Sequence, residues 1–294
     1  MIRQLLMLPV HFWREAWHNG IRRALLMARE KLRGRRPAGT PASAFPGIPS
    51  NASAYLRLLT RRPLVSIVMP VFNSRWLRQA VDSVLAQSYP NFELVLFDDC
   101  STNQKTTHLL EELSKNEKIR VRHMEKNSGT SAATNAAIAE ARGEFVAFMD
   151  HDDLLHADAL ALFARTLNND NEADIYYSDE MLMYESGVFY AFLRKPPVSL
   201  DLLLSCNSVL HFCIIKTETL RRLGPLKTEY DGAQDHDLML RAWEAGCSFM
   251  HMPYISYIWR LNSNAQSEGI RQKLPADEAM QPKAYRNAKK VLRA

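Results

Sequence analysis

Between Leu64 and Ser178, strand-like and helix-like patterns alternate without interruption, and few architectures accept that order. Leu64–Val71, Phe92–Phe97, Ile119–Met124, Phe145–Met149 and Ile175–Ser178 are short runs rich in β-branched and aromatic residues, the composition of strands. Between them, Trp76–Gln87, Gln104–Lys115, Thr130–Arg142 and Ala157–Leu167 have the length and periodicity of helices. Strands separated by such helices need crossover connections. The expected fold is therefore α/β, with a mostly parallel central sheet flanked by helices. After residue 180 the pattern is mixed: strands are expected near 188–193, 209–215 and 254–260, and helices near 217–223, 235–245 and 278–293.

The first 62 residues read differently. They carry 12 Lys/Arg against 2 Asp/Glu, so the chain's net charge of +5 hides an arm near +10 and a body near −5. An acidic body argues against nucleic acid as a partner, and the basic arm points to some anionic surface. Residues 1–36 read as a basic amphipathic helical arm in which Ile21, Leu25, Ala28 and Leu32 share one face, flanked by Arg22, Arg29, Arg33 and Arg36. Such a helix can lie on anionic lipid. It can equally pack on its own domain or on a partner. Residues 37–62 follow as a linker, Pro/Ser/Gly/Ala-rich up to residue 54. The body divides in sequence into 63–180 and 181–294, read as two halves of one domain.

Cys100, Cys206, Cys213 and Cys247 form no CxxC pair and no zinc-like spacing, which fits a reducing, cytoplasmic setting. No apolar run reaches the roughly 20 residues needed to span a bilayer. The N-terminal apolar stretch is followed by Trp13-Arg14-Glu15 rather than a small-residue cleavage site, so it is not read as a signal peptide. There is no GxGxxG at the first βα turn and no GxxxxGK[ST], so NAD-type and P-loop assignments lose their support.

Polar residues gather at the strand ends, where open α/β sheets bind ligands. The run Phe145–Met149 ends in Asp150-His151-Asp152-Asp153, three carboxylates within four residues. Unpaired carboxylates repel one another, so such a cluster usually meets a hard divalent cation held jointly with phosphate oxygens. Asp153 has a second reading, as the cap of the following helix. The first strand ends in Pro70-Val71-Phe72-Asn73 and the second in Asp98-Asp99-Cys100-Ser101. Asp99 can accept from a base N–H or from ribose hydroxyls, while Asp98 or Ser101 can cap a helix. Gly129, ahead of the small residues 130–133, can open a helix N-terminus to phosphate or can simply form a turn. Gln234-Asp235-His236-Asp237 opens another helix, with one acid available as a base and the other paired to Arg241. Arg260 ends a late strand, and arginine can grip a diphosphate.

Val65–Asn73, Ser83–Glu93, Asp98–Thr102, Asn127–Gly129, Asn135, Gly143–Asp153 and Gln234–Leu238, in this order and spacing, resemble a family 2 glycosyltransferase of the GT-A fold. The resemblance covers about residues 63–262 and leans toward the bacterial surface-polysaccharide or O-antigen branch through Tyr177–Glu180 and Lys195–Leu204. It implies an inverting transfer of one sugar from a UDP- or dTDP-linked donor to a saccharide or polyprenyl-diphosphate-linked acceptor, with Mg²⁺ or Mn²⁺. By resemblance, residues 63–180 bind the nucleotide-sugar and 181–294 bear the acceptor site and the base. Pro70, Val71, Asn73, Asp99, Gly129, Asn135 and Asp150 would contact the nucleotide. Asp152 would be the metal ligand, supported by Asp150, and His151 a spacer. Asp235 would be the general base, Arg260 a diphosphate contact, and Asp179 and Gln234 sugar or acceptor contacts.

Three positions depart from the family pattern. Gln234 replaces a Glu, Thr134 replaces an Arg before Asn135, and Cys100 replaces a Gly. The QxxRW motif of processive members is absent, which implies one sugar per encounter. The resemblance implies a cytoplasmic protein, peripheral on the inner face of the plasma membrane if the arm binds lipid. Two rivals remain. A sugar-1-phosphate nucleotidyltransferase would need a Gly-rich loop where Val71–Trp76 stands. A catalytically silent nucleotide-sugar-binding scaffold would have no use for Asp99, Asp152 and Asp235 together.

Overall fold

A computed structural model describes residues 56–169, 172–209, 211–261 and 290–291. The expected basic arm, the linker up to residue 55 and all but two residues of the expected C-terminal helix lie outside the described residues.

The strand β1 (Val65–Val71) is buried along nearly its whole length, so it reads as a continuous apolar run rather than an alternating one. Its neighbours are parallel on both sides: β2 (Phe92–Asp98) and β4 (Phe145–Phe148). Beyond β2 lies β3 (Ile119–His123), also parallel. The connecting helices are α1 (Leu77–Leu85), α2 (Gln104–Leu113) and α3 (Thr130–Glu140), as the alternation requires. Next in the chain come the two-residue β5 (Leu154–Leu155) and α4 (Ala159–Asn169).

Side-chain alternation along β1 divides the core. Val65, Ile67, Met69 and Val71 share one cluster with Leu77 and Val81 of α1, Leu110 of α2 and Leu160 of α4. Val68 faces the other way, with Ala137 of α3 and residues of the two later helices α6 (Thr217–Leu223) and α7 (Gln234–Glu244). Helices thus cover both faces of the sheet. Gly143 lets β4 enter: a Cβ there would stand 2.6 Å from the amide of Ser66 and 2.7 Å from the carbonyl of Leu64. Any side chain would push β4 off β1.

The second half extends this sheet with β6 (Ile175–Tyr184), β7 (Phe189–Leu193), β8 (Cys213–Lys216) and β9 (Phe249–Leu261). The order is β3-β2-β1-β4-β8-β6-β9-β5, with β7 paired to β6. Here the sheet becomes mixed, in keeping with the mixed C-terminal region expected after residue 180. β8 runs antiparallel to both β4 and β6, β7 antiparallel to β6, and β5 antiparallel to β9, while β9 is parallel to β6. The crossover signal is local to residues 64–178, so it carried no information on how later strands insert. β6 crosses residue 180, which puts the division between the two halves inside a strand. The short α5 (Leu200–Ser205) and β5 were not foreseen, and β9 is longer than expected.

Candidate active site

The ends of β1, β2 and β4 meet at one edge of the sheet, tied by Asp99 N–H to Val71 carbonyl at 2.8 Å and Met149 N–H to Val68 carbonyl at 3.1 Å. Pro70 sits within β1 beside Phe97, and Val71 beside Asp98. Asn73 takes a positive φ of 47°. Its Oδ1 accepts from the amides of Thr102 and Asn103, and its own amide donates to Ser101 Oγ. Asn73 therefore shapes the loop after β2. Neither Asp98 nor Ser101 caps α2; the Asn103 side chain does, and Asp98 accepts from the Ser101 amide instead.

Asp99 is buried. Its Oδ1 accepts from Ser128 N–H at 2.7 Å and its Oδ2 from Gly129 N–H at 2.9 Å. Gly129 opens α3 with φ 90°, as a turn-forming glycine should. The idea that small residues leave this helix N-terminus open to phosphate does not hold in this geometry. The Asp231 carboxylate occupies it, accepting from Ser131 N–H at 3.0 Å. A helix N-terminus favours an anion, and the chain supplies its own. Asn135 is likewise engaged: its amide donates to Leu226 carbonyl and accepts from Leu226 N–H, both at 2.8 Å. It clamps α3 to the loop that leads toward α7.

The acidic segment after β4 is arranged by β9. Tyr257 Oη accepts from Asp150 N–H at 3.1 Å and donates to Asp153 Oδ2 at 2.8 Å. Arg260 N–H donates to Asp153 Oδ1 at 2.7 Å. Asp153 is consequently not the cap of the next helix: α4 begins only at Ala159, and the Asp153 carboxylate is a buried anchor on β9. Burial, with Asp152 beside it, pushes the Asp153 carboxyl well above the usual range. Arg260 is also differently placed from the diphosphate role expected. Its Nε donates to the Asp152 carbonyl at 2.7 Å, its Nη2 to Gln79 at 3.0 Å, and its guanidinium stacks 4.0 Å from the Trp76 ring. It holds the acidic loop in shape.

Asp150 faces the crevice with its side chain half exposed, and Oδ2 lies 3.3 Å from His211 Nε2. His211 Nδ1 faces Glu180 Oε2, also at 3.3 Å, and its ring stacks on Tyr257. Desolvation alone would lower the His211 pKa, but the Glu180 and Asp150 carboxylates outweigh it and raise the group well above 6.5. Against burial, His211 in turn holds Asp150 below its ordinary value. Sequence reasoning ranked Asp152 first as metal ligand and read His151 as a spacer. Among the described residues, the ligand atoms lying within 4.8 Å of one another belong to Asp150, Asp153 and His211. A lone histidine some sixty residues away carries no sequence signal. Two carboxylates and an imidazole are a donor set that a divalent ion accepts.

Asp235 lies in the first turn of α7, with Oδ2 accepting from Asn207 Nδ2 at 2.8 Å and Oδ1 from His236 N–H at 2.9 Å. Burial raises its pKa, and the charges of both His211 and Asp150 act on it. Asp237, two residues on, is the acid paired with Arg241, at 2.8 Å. Gln234 turns back to accept from Gly232 N–H at 2.5 Å. Asp179, expected at the sugar or acceptor, is buried and accepts from Lys195 N–H at 3.0 Å, with His251 Nε2 at 2.8 Å. Its contacts are internal to the second half.

A mixed sheet flanked by helices, with an acidic loop after β4 and a carboxylate opening α7, defines the GT-A class of fold. Residues 66–182 match the family model described as Glycosyl transferase family 2. The uncharacterized protein y4gI of Sinorhizobium fredii is 36% identical over 232 residues, covering 77% of this chain and 26% of that protein. The O-antigen biosynthesis protein RfbC of Myxococcus xanthus is 37% identical over 229 residues, covering 77% of this chain and 18% of that protein. The chain thus spans about a quarter or less of the length of these relatives. Among solved structures, S. aureus TarS 1-349 in complex with UDP-GlcNAc matches with a TM-score of 0.58 at 23% identity, covering 68% of this chain and 59% of that one. That likeness is one of fold. No helix among the described residues is long and apolar enough to cross a membrane.

Proposed function

We propose that the chain is an inverting, metal-dependent glycosyltransferase that moves one sugar from a UDP- or dTDP-linked donor to a saccharide or polyprenyl-diphosphate-linked acceptor. The observation that carries this reading is Asp235: a buried carboxylate in the first turn of α7, held by Asn207, with its pKa raised by burial and the charges of Asp150 and His211 acting on it. A general base works best when its pKa lies near the operating pH, and burial moves Asp235 in that direction. Asp235 takes the proton of the acceptor hydroxyl as that oxygen attacks the anomeric carbon opposite the diphosphate.

Asp150 and His211, backed by Asp153, would hold Mg²⁺ or Mn²⁺, with Asp152 beside them. A bound divalent ion supplies positive charge for the diphosphate leaving group. Pro70, Val71, Asn73 and Asp99 border the nucleotide pocket, and the Asp99 contacts to Ser128 and Gly129 set the shape of that border. The UDP-GlcNAc complex of TarS supports a nucleotide-sugar donor, and the name of the Myxococcus relative supports a role in surface-polysaccharide synthesis. The charge of residues 1–36 supports docking on an anionic membrane surface.

Incubation with a panel of nucleotide-sugars, Mn²⁺ and lipid-linked saccharides tests the proposal. Release of the nucleoside diphosphate should be abolished in Asp235→Asn while nucleotide binding survives. Equal turnover in that variant removes Asp235 from the role of base.

A further inference from the structure

Behind Asp150 and His211, away from the crevice, lies a pair of charges that the proposed reaction does not use. Lys195 and Glu180 have side chains 2% and 0% exposed, and Lys195 Nζ stands 2.6 Å from Glu180 Oε1. Taking two such charges out of water is costly, and their attraction repays that cost only with good geometry and further hydrogen bonds. The further bonds go to His211 and to Val209, two residues before it. Lys195 Nζ donates to the carbonyl of Val209 at 2.6 Å and to the carbonyl of His211 itself. Glu180 Oε2 faces His211 Nδ1. Lys195 therefore fixes the backbone of His211, and Glu180 fixes its ring.

The ring has a third restraint. It lies 5.1 Å from the Tyr257 ring at an interplanar angle of 9°, and the hydroxyl of that tyrosine bridges Asp150 and Asp153. Every contact that orients Nε2 toward Asp150 thus originates in β6, β9 or the β7–α5 connection, all in the second half of the sheet. A histidine that binds a metal through one ring nitrogen is normally held by a carboxylate or carbonyl at the other, which sets both tautomer and angle.

We infer that Glu180 and Lys195 are positioning residues for the cation site: they hold His211 so that Nε2 completes a donor set with Asp150 and Asp153. The inference rests on the divalent-cation reading above. Neither residue touches substrate. Lys195 holds Glu180 in register, and Glu180 holds Nδ1 so that Nε2 stays aimed at the cation site.

Binding of Mn²⁺ alone to the full chain, without any nucleotide-sugar, tests it by calorimetry and by loss of the free-ion paramagnetic resonance signal. Glu180→Asp keeps the charge but is one methylene too short to reach His211. It should weaken Mn²⁺ binding by roughly 10- to 100-fold, the usual loss on removing a residue that orients a ligand. The double variant Glu180→Gln/Lys195→Met removes both buried charges, should melt near the wild-type temperature, and should show the same loss. Wild-type Mn²⁺ affinity in either folded variant overturns the positioning role while leaving the cation site intact. A wild-type chain that binds no Mn²⁺ overturns the cation reading itself, and this inference with it.

Discussion

The Asp231 carboxylate closes the helix that Gly129 opens: Oδ1 accepts from the Ser131 amide, and Oδ2 lies 2.3 Å from where a Cβ on Gly129 would stand. The turn before the helix bearing Asp235 is thereby fastened to the helix of the first half. Asn135 and Ser131 add contacts to Leu226 and Lys227 in the same segment. Gly129→Ala would meet both a φ of 90° and the Asp231 oxygen. It should lower stability by about 1–3 kcal/mol, read as a shift in the urea midpoint. Adding Asp231→Ala should relieve the collision but leave the strain. An unchanged midpoint in Gly129→Ala would show that the turn relaxes freely.

Tyr257→Phe removes one hydroxyl and leaves the ring. Both hydrogen bonds at the acidic loop are lost with it, those to the Asp150 amide and the Asp153 carboxyl. Leaving a buried polar group unpaired costs about 1–3 kcal/mol. The variant should melt earlier and lose turnover through a mispositioned Asp150. Retention of full activity would mean that Arg260 alone suffices to hold the loop.

Burial raises the pKa of Asp235, so the fraction of ionised base falls at a higher pH than for an exposed aspartate. The acid limb of kcat/KM against pH should therefore lie above the ordinary aspartate range near 4. Asn207→Ala removes a hydrogen bond that favours the charged form, and should shift that limb further upward. A limb at an ordinary aspartate value would count against Asp235 as the titrating group.

Glu172 shows the opposite direction at the surface. Arg61 and Lys216 hold its pKa down to about 2. Because the folded value is depressed, the stabilisation is present above the ordinary glutamate value of about 4.3 and is lost as pH falls through about 2. Arg61 and Glu172 are both more than a third exposed, so solvent screening leaves only part of that gain. Glu172→Gln should be slightly less stable than wild type at pH 7, and the gap should shrink as pH falls toward about 2 and close below it. The gap should narrow in high salt. A gap that is constant with pH would assign the effect to packing.

What the sequence determined is what depends on near neighbours. Every strand and helix expected between Leu64 and Ser178 is present with ends shifted by a few residues, because apolar periodicity and strand composition act within each segment. The same locality placed the acidic loop at a strand end and Asp235 in the first turn of a helix. It also gave the resemblance its order and spacing. Local pattern could not decide the partners. Asp153 looks like a cap until Tyr257 and Arg260 arrive from about 105 residues away, and Asp99 looks free until the amides of Ser128 and Gly129 reach it. His211 carries no motif, and the stretches that hold Glu180 and Lys195 give no sign that both reach it. The three come together beside Asp150 because β8 and β6 insert next to β4, and β9 lies beside β6. Sheet order is set by burying whole faces against helices, a sum over both core clusters that no single segment contains.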